Sequence, residues 1–565
     1  GDDVVLRALA DELDRSRSLR LVALEVPYYI EYGIHDADSF AAGATLGAIN
    51  LVRKGRARLP RVQVRVGDYK FDNGNYVFSD YRAAGGYDLG ACPLDDNYMA
   101  LRQYFWLGTD VAYKSALEII ARKRAAQKNV TVTEQLPDLS RIEPVTMFLT
   151  GVTRKVDEEA WKSRLRSLSS LFAPYSQIIS SSADFQMVQG YYYLVTSEGT
   201  RIRVPEGSAH FEARAMALAS DGMTLRDSIG FHTLELDALP GEPALRRAVQ
   251  SVADNLEALL KAPVGEAYTG PVLFEPEAAA QLMAEVLGRS FALRRRPVSE
   301  PGRAVPFVAS DFEGRMGSRV LPDWMEVTDD PTLEEWNGRK LLGHYLVDLE
   351  GVAPKSLTLV EKGLLRNFLT TRQPMRGVEG SNGRARLRGS YGANAAAFSN
   401  LFVRASETST LPELKNRLIQ LCEQTGKPYG LLIRKMDFPS SASVAEAQRL
   451  LSRIAQDGAS ARPVSSPLLA YRVYADGREE LVRGLRFKDL TVRSLRDIIA
   501  AGGEPAQFDF LENGATFALM GAGSFVAESS VISPGVLIEE LQLVKAQDEW
   551  PKLPIVAPPT IAVAR

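Results

Sequence analysis

Histidine and cysteine are scarce in this chain of 565 residues, which has four histidines and two cysteines. A metal site built on imidazole, or a nucleophile paired with histidine, must draw on those four residues, no two of which can share a helical turn. They are His35, His210, His232 and His344. Cys92 and Cys422 are far apart and form neither a metal-ligand cluster nor a disulfide framework. We expect two buried thiols rather than one long-range disulfide.

Long apolar runs and an excess of charge are also absent. No apolar run approaches the roughly 18 residues that a membrane span needs, so no span is expected. The net charge is −3, which gives no electrostatic footprint for nucleic acid. Apolar residues make up 45% and charged residues 24%, the mix of a globular protein, and the length allows two or more domains.

The sequence begins at Gly1 rather than at methionine. We interpret this as the result of signal-peptide removal, which predicts a periplasmic or exported protein. A cytoplasmic location is the alternative, because a tag can leave the same kind of start.

Hydrophobic periodicity separates helical from extended stretches. A 3.6-residue period predicts helices over residues 3–20, 95–127, 157–171, 244–261, 412–423 and 444–456. A period of two predicts strands over residues 61–71, 191–204, 210–225 and 469–482, and residues 346–369 suggest strands joined by glycine turns. His210, His232 and His344 look structural, and His35 is placed in a loop. Runs of strands flanked by helices predict an α+β fold.

A turn-rich junction at residues 262–271 suggests a domain boundary. We therefore expect an N-terminal domain over residues 1–265 and a C-terminal domain over residues 266–550. Residues 551–565 form a proline-rich tail.

The stretch "MAEVLGR", residues 283–289, has the outline of a zinc-peptidase helix without its ligands. Such a helix sets two imidazoles near one another, beside a glutamate that acts as general base on the metal-bound water. Glu285 is present, but Ala284 and Arg289 stand where the two histidines of a His-Glu-x-x-x-His motif would be. The wider spacing of that motif reaches a metal if the helix ends at a glycine, and Gly288 lies there.

Several blocks around this helix carry a family resemblance. They are "PVLFEPEAAAQLM" (271–283), "GSRVLPDWMEVTDDPT" (317–332), "DLEGVAPKSLTLVEKGLLRNFLTTR" (348–372), "GSNGRAR" (380–386) and "SVISPGVLIEELQLVK" (530–545). More loosely, "VRVGDYKFDN" (64–73) and "ARAMALASDGM" (213–223) fit as well. With these blocks the chain resembles the TldD/PmbA family, also called modulators of DNA gyrase. The resemblance implies a two-domain fold of helix-flanked, mainly antiparallel sheets.

The resemblance also implies a zinc site in active members, with a distant cysteine as third ligand. Carried onto this chain, the ligand positions fall on Ala284, Arg289 and, by counting back from Pro534, near Met520. Alanine has no donor atom, and a permanently charged guanidinium does not bind Zn²⁺. Arg294, Arg295 and Arg296 would repel a divalent ion further. We therefore expect no metal or other cofactor, a vestigial Glu285 with no catalytic role, and an ion pair between Glu285 and Arg289.

A second arginine-rich stretch follows, with Arg384, Arg386 and Arg388 in alternation. Alternation puts them on one face of an extended segment. That face is either a solvated edge or the wall of a cleft that binds peptide. Under the second interpretation the cleft residues are Arg289, Asn382, Arg384 and Arg386.

Three functions remain open. The resemblance favours a metal-free, TldE/PmbA-like subunit of a two-subunit peptidase, inactive alone, which shapes a cleft for an extended peptide. It would form a homo- or heterodimer or a larger assembly, possibly with a zinc-bearing TldD-like paralogue. The second function is an active metallopeptidase with non-standard ligands, the only case in which zinc is expected. The third is a binding or assembly protein on the same fold.

Overall fold

The structure is a computed structural model of the full chain. It describes residues 3–18, 25–77, 90–128, 136–300, 307, 309–378, 380–388, 393–437, 464–513, 526–546 and 554. Met520, the helix predicted over residues 444–456 and the tail from residue 551, except residue 554, lie outside these ranges.

Six α-helices lie in the described ranges. They are α1 (Val4–Ser16), α2 (Tyr98–Gln127), α3 (Glu158–Ser169), α4 (Glu242–Lys261), α5 (Pro276–Leu282) and α6 (Leu411–Gln424). Their starts follow from capping: Asn97 and Asp157 each accept a hydrogen bond from a backbone N–H in the first turn of α2 and α3. At α6 Thr410 and Glu413 form a reciprocal capping box. None of these described helices is long and apolar enough to cross a membrane.

Twenty-five strands build three large sheets and three two-stranded ribbons. The N-terminal sheet contains β1 (Pro27–Thr45), β2 (Ala48–Val66), β4 (Thr146–Phe148), β5 (Ile178–Thr196), β6 (Arg201–Leu218) and β7 (Thr224–Thr233). A second sheet contains β10 (Met325–Asp329), β13 (Leu357–Glu361), β14 (Leu364–Leu365), β17 (Asn400–Ala405), β23 (Ala506–Asn513) and β24 (Val526–Ser533). A third contains β8 (Tyr268–Phe274), β18 (Tyr429–Met436), β19 (Pro467–Tyr474), β20 (Glu479–Val482), β21 (Leu485–Lys488), β22 (Ile498–Ala501) and β25 (Val536–Lys545). The ribbons are β3 (Tyr76–Val77) with β9 (Val298–Ser299), β11 (Glu335–Trp336) with β12 (Arg339–Lys340), and β15 (Ala385–Arg388) with β16 (Asn394–Ala396).

The N-terminal sheet uses its two faces differently. Because side chains alternate along a strand, the even-numbered residues of β1 share one face, and they pack under α1 and α2 at one end and under α3 and α4 at the other. On the opposite face Tyr192, Leu194 and Ile202 form a small core with Val347. The N-terminal sheet is therefore covered by helices on one face and by the C-terminal half of the chain on the other.

The largest core lies in the C-terminal half, where α5 is enclosed by the second and third sheets. Ala278, Ala279, Leu282, Met283 and Ala284 have no exposed surface. A helix that is apolar all round belongs in such an interior. The chain thus buries the segment that the sequence suggests as a former metal site.

The α+β prediction is confirmed, since mostly antiparallel sheets combine with flanking helices. Both cysteines are free and buried, as expected. The placement of His35 in a loop is wrong, because His35 lies in β1 between Tyr192 of β5 and Leu59 of β2. The boundary proposed at residues 265 and 266 falls between α4 and β8 and stays a prediction.

Candidate functional site

The helix that carries Glu285 changes its winding at the position of interest. After α5 it continues as a π-helical turn over Met283–Leu287 and a 3₁₀ turn over Gly288–Phe291. In the π turn the N–H of Gly288 donates to the carbonyl oxygen of Met283, five residues before. Single π turns are rare and are often found at functional sites. Ala284 and Arg289 are five residues apart, which is the spacing that a π turn repeats.

Gly288 does not end the helix, as the sequence suggested. Its backbone keeps right-handed helical angles, with φ −58° and ψ −44°. Its role is close packing, because a Cβ at this position would lie 2.6 Å from Cε1 of Phe398. The glycine therefore seats the helix against an aromatic ring.

The carboxylate of Glu285 is held by the chain itself. Its Oε2 accepts a hydrogen bond of 2.7 Å from the backbone N–H of Ser465, and its Oε1 accepts one of 2.8 Å from the Ser465 hydroxyl. One helical turn earlier, Oε1 of Gln281 accepts a bond of 2.7 Å from the backbone N–H of Met436. Gln281 and Glu285, four residues apart on one helix face, thus fix Met436 and Ser465, the two ends of one chain segment. We call this arrangement the helix clamp.

The expected ion pair between Glu285 and Arg289 is not among the salt bridges of the described residues; the hydrogen bonds to Glu285 shown here come from Ser465. Arg289 lies in the 3₁₀ turn and is half-buried. Ala284 is fully buried in the large core.

The other residues suggested as a cleft wall are built into the C-terminal fold. Arg384 is completely buried, and its Nε donates to Oδ2 of Asp329 over 2.6 Å. Asn382 exchanges hydrogen bonds with the backbone and hydroxyl of Thr370. Arg386 donates to the carbonyl oxygen of Phe398 over 2.8 Å. The structure therefore uses these three side chains to hold backbone and charge within the C-terminal half, and they do not line its larger cavity.

The residues present do not fit a zinc ion. In the described part of the chain no three histidine, cysteine or carboxylate side chains come close enough together to hold a metal. Ala284 offers no donor and Arg289 carries a fixed positive charge. No chemical step at this helix is therefore assigned to a metal.

A cavity of about 720 Å³ adjoins the helix clamp, a size typical of ligand sites. It lies where the N-terminal sheet faces the C-terminal half, between β7 and β23, with Glu277 and Gln281 of α5 on a third side. Among the described strands, β7 pairs only with β6 and β23 only with β24. Each therefore has one edge without a strand partner.

Two histidines stand side by side next to this cavity. His210 of β6 is opposite His232 of β7, their ring centroids are 5.6 Å apart, and His232 lines the cavity. Burial lowers the pKa of His210 to about 4, and burial together with the neighbouring ring lowers the pKa of His232 to about 3. Both imidazoles are therefore neutral at pH 7 in the folded protein.

This pair predicts a loss of stability in mild acid. In the unfolded chain both rings take up protons near pH 6.5, whereas the folded rings take them up only near pH 4 and 3. Between these values unfolding binds protons, so the free energy of unfolding falls as the pH falls, by about 1.4 kcal/mol per pH unit for each proton. Urea denaturation at pH 7, 6 and 5 should show a shallower decline for His210→Gln/His232→Gln than for the unmodified chain. Equal slopes would contradict the prediction.

Comparison with known proteins identifies the class of the second half. Residues 267–545 match the family model described as the PmbA/TldA metallopeptidase C-terminal domain. An Archaeoglobus fulgidus protein named "Metalloprotease" is 33% identical over 81 residues, which is 14% of this chain and 18% of that protein. A protein of the same name from Methanothermobacter thermautotrophicus is 23% identical over 207 residues, 35% of this chain and 40% of that protein. The chain thus matches less than half the length of these relatives.

Solved structures extend the likeness to the whole fold. TldE from Thermococcus kodakarensis matches with a TM-score of 0.54 at 12% identity, over 95% of this chain and 100% of that one. A proposed modulator of a DNA gyrase from Thermotoga maritima matches with a TM-score of 0.55 at 13% identity, over 91% and 96%. The chain belongs to the TldD/PmbA family of metallopeptidase-related proteins.

Sequence reasoning found the helix but missed what surrounds it. Gln281 and Glu285 are polar residues four apart in an otherwise apolar helix, a signal that something polar packs against that face. Their partners could not be inferred, because Met436 and Ser465 lie more than 150 residues away. The cavity was missed for the same reason, since its walls come from both halves of the chain.

Proposed function

We propose that this chain is a metal-free, non-catalytic subunit of a two-subunit peptidase, similar in role to TldE or PmbA. It shapes a cleft for an extended peptide, and the metal chemistry belongs to a zinc-bearing, TldD-like partner. The functional unit is a heterodimer or a larger assembly that contains both chains.

The observation that carries this proposal is the state of Glu285. A general base must face the proton that it removes, within hydrogen-bond reach. Both carboxylate oxygens of Glu285 instead accept hydrogen bonds from Ser465 of the same chain. With Ala284 and Arg289 at the expected ligand positions, the helix lacks a free base as well as a ligand set.

The cavity between β7 and β23 supports the peptide part of the proposal. An extended peptide binds by adding a strand to an open sheet edge, and its main-chain groups then pair with that edge. Here two open strand edges border one cavity. A peptide lying along either strand would place alternate side chains into the cavity.

The test measures metal and activity in the chain alone and in the complex. We expect the purified chain to contain no stoichiometric zinc by elemental analysis and to cleave no unstructured peptide. Co-expression with a TldD-like paralogue from the same genome should yield a complex that cleaves. Stoichiometric zinc in the chain alone, removed by chelator together with cleavage, would defeat the non-catalytic role. Self-assembly without affinity for such a paralogue would favour a binding or assembly protein.

Glu285→Gln is the matching variant. Glutamine can keep both contacts to Ser465, because its oxygen accepts from the backbone N–H and its amide group donates to the hydroxyl. The complex should therefore cleave at the unmodified rate. If Glu285 were the base, the rate would fall by about 10²–10⁴-fold.

A further inference from the structure

The cavity between β7 and β23 contains acidic groups without partners. Glu212 of β6 and Glu277 of α5 both line it. Within the described part of the chain, neither carboxylate is hydrogen-bonded or ion-paired to another residue. Opposite Glu212 in the sheet stands Gly230, which adds no side chain above the neighbouring strand. The carboxylate of Glu212 therefore borders open space.

The basic residues of the same wall are already engaged by other acids. The ammonium group of Lys435 donates to Oδ1 of Asp227 over 2.5 Å and to the carbonyl oxygen of Ser228 over 2.6 Å. Arg339 lies 3.5 Å from Asp509 and, like Lys340, is largely exposed. Lys340 is 4.0 Å from Glu334. These cations leave Glu212 and Glu277 uncompensated.

A third group adds to the negative potential of the wall. Gln507 of β23 lines the cavity and is only 8% exposed. Its amide nitrogen donates to the carbonyl oxygen of Lys340 and to both oxygens of Asp509. These three acceptors fix the orientation of the amide, and its Oε1 has no hydrogen-bond partner in the described structure. A buried acceptor of this kind is uncommon and calls for an explanation.

Titration behaviour agrees with this geometry. Burial raises the pKa of Glu212 to about 7, with Asp184 adding to the rise and Arg214 opposing it. Burial and Asp227 raise the pKa of Glu277, although Lys435 opposes them. Both carboxylates are thus destabilised as anions in the empty cavity. A bound cation would relieve that penalty.

We propose that this cavity binds the positively charged group of a peptide, an arginine or lysine side chain or an amino terminus, between Glu212 and Glu277. The assignment rests on the proposed function, because it names the kind of peptide that the subunit selects. A guanidinium fits well, since it presents five donors and the wall presents mainly acceptors. Apolar surface from Ile229, Phe231, Leu468 and Phe508 surrounds the acids and can pack against the aliphatic stem of such a side chain.

The experiment compares two peptides that differ only in charge. One is a fluorescein-labelled pentapeptide of valine and threonine with arginine at its centre. The other carries citrulline, which has nearly the same shape but is neutral. Fluorescence anisotropy with the full chain at pH 8 should show at least about tenfold tighter binding of the arginine peptide. In the Glu212→Gln/Glu277→Gln variant this preference should disappear.

Glu326→Gln serves as the control, because Glu326 is an exposed carboxylate on β10 and is not among the residues that line the cavity. It should keep the preference for arginine. Circular dichroism of all variants checks that they fold. If Glu212→Gln/Glu277→Gln does not fold, the single variants replace it, and each should reduce the preference in part.

The outcomes separate this inference from the proposed function. Equal binding of both peptides would overturn cation recognition and leave the peptide-binding subunit standing. If neither peptide binds, argininamide is the next probe, followed by NMR of the full chain. Binding of argininamide that is lost in the double variant would support the cation site and contradict the peptide role. Absence of binding by all three probes would overturn the cation site.

Discussion

Replacing Asp329 with alanine is expected to lower the free energy of unfolding by about 3–5 kcal/mol. Asp329 and Arg384 both have fully buried side chains, joined over 2.6 Å. The other oxygen of Asp329 accepts from the backbone N–H and the hydroxyl of Ser399. Removal of Asp329 leaves a guanidinium buried without its counter-charge, which is among the most destabilising changes that a single substitution makes.

A double-mutant cycle measures the pair. Arg384→Met alone should also be strongly destabilising, and Asp329→Ala/Arg384→Met should lose less than the sum of the two single losses. The control is Arg366→Met, since Arg366 pairs with Glu361 on the surface. That change should alter stability by no more than about 1 kcal/mol. If Arg384→Met unfolds like the unmodified chain but loses peptide affinity, Arg384 belongs to a cleft, as the sequence suggested.

Replacing Arg372 with methionine is expected to weaken the contact between the two halves of the chain. Its guanidinium forms a bidentate pair with Glu198 over 2.7 and 2.8 Å, and it also donates to the carbonyl oxygen of Ser140. Glu198 and Ser140 lie in the N-terminal half, and Arg372 itself is 1% exposed. Loss of this buried arginine should lower the free energy of unfolding by about 3–5 kcal/mol.

The matching variant is Arg372→Lys. It keeps the charge but loses the planar fork that binds both oxygens of Glu198, so it should recover only part of the stability. Arg478→Lys, at an exposed pair with Asp476, should have almost no effect. Urea denaturation measures the loss, and limited proteolysis reports whether the two halves separate before they unfold. Full stability in Arg372→Lys would show that charge alone holds the halves together.

Local signals predicted many of the elements. Asn97, Asp157 and the Asp476–Gly477 turn mark starts and turns that depend on neighbouring residues only. Long-range pairing decided the rest. The segment around His35 contains small and acidic residues that are poor strand formers, yet β2 and β5 hold it in the middle of a sheet. Pairing with two neighbours outweighs the intrinsic preference of the segment.

The candidate site divides in the same way. The position of the helix and the lack of metal donors at Ala284 and Arg289 follow from residues close together in the sequence. The partner of Glu285 does not, because Ser465 lies 180 residues further along the chain. The electrostatic character of the cavity depends on Glu212, Glu277 and Gln507, which come from three distant segments. An arginine-lined cleft was a reasonable expectation from local sequence, but the structure places uncompensated acids at its cavity.

The helix clamp also has a consequence for length variation. Because Gln281 and Glu285 fix Met436 and Ser465, the chain between them is a closed loop whose ends stay in place whatever its length. The entropy of closing a flexible loop rises only with the logarithm of its length, by about 0.6 kcal/mol for each doubling. Insertions or deletions between these two anchors should therefore leave the helix and the cavity beside it undisturbed. Relatives can accordingly differ most in length there, and an engineered tag would be tolerated best at that place.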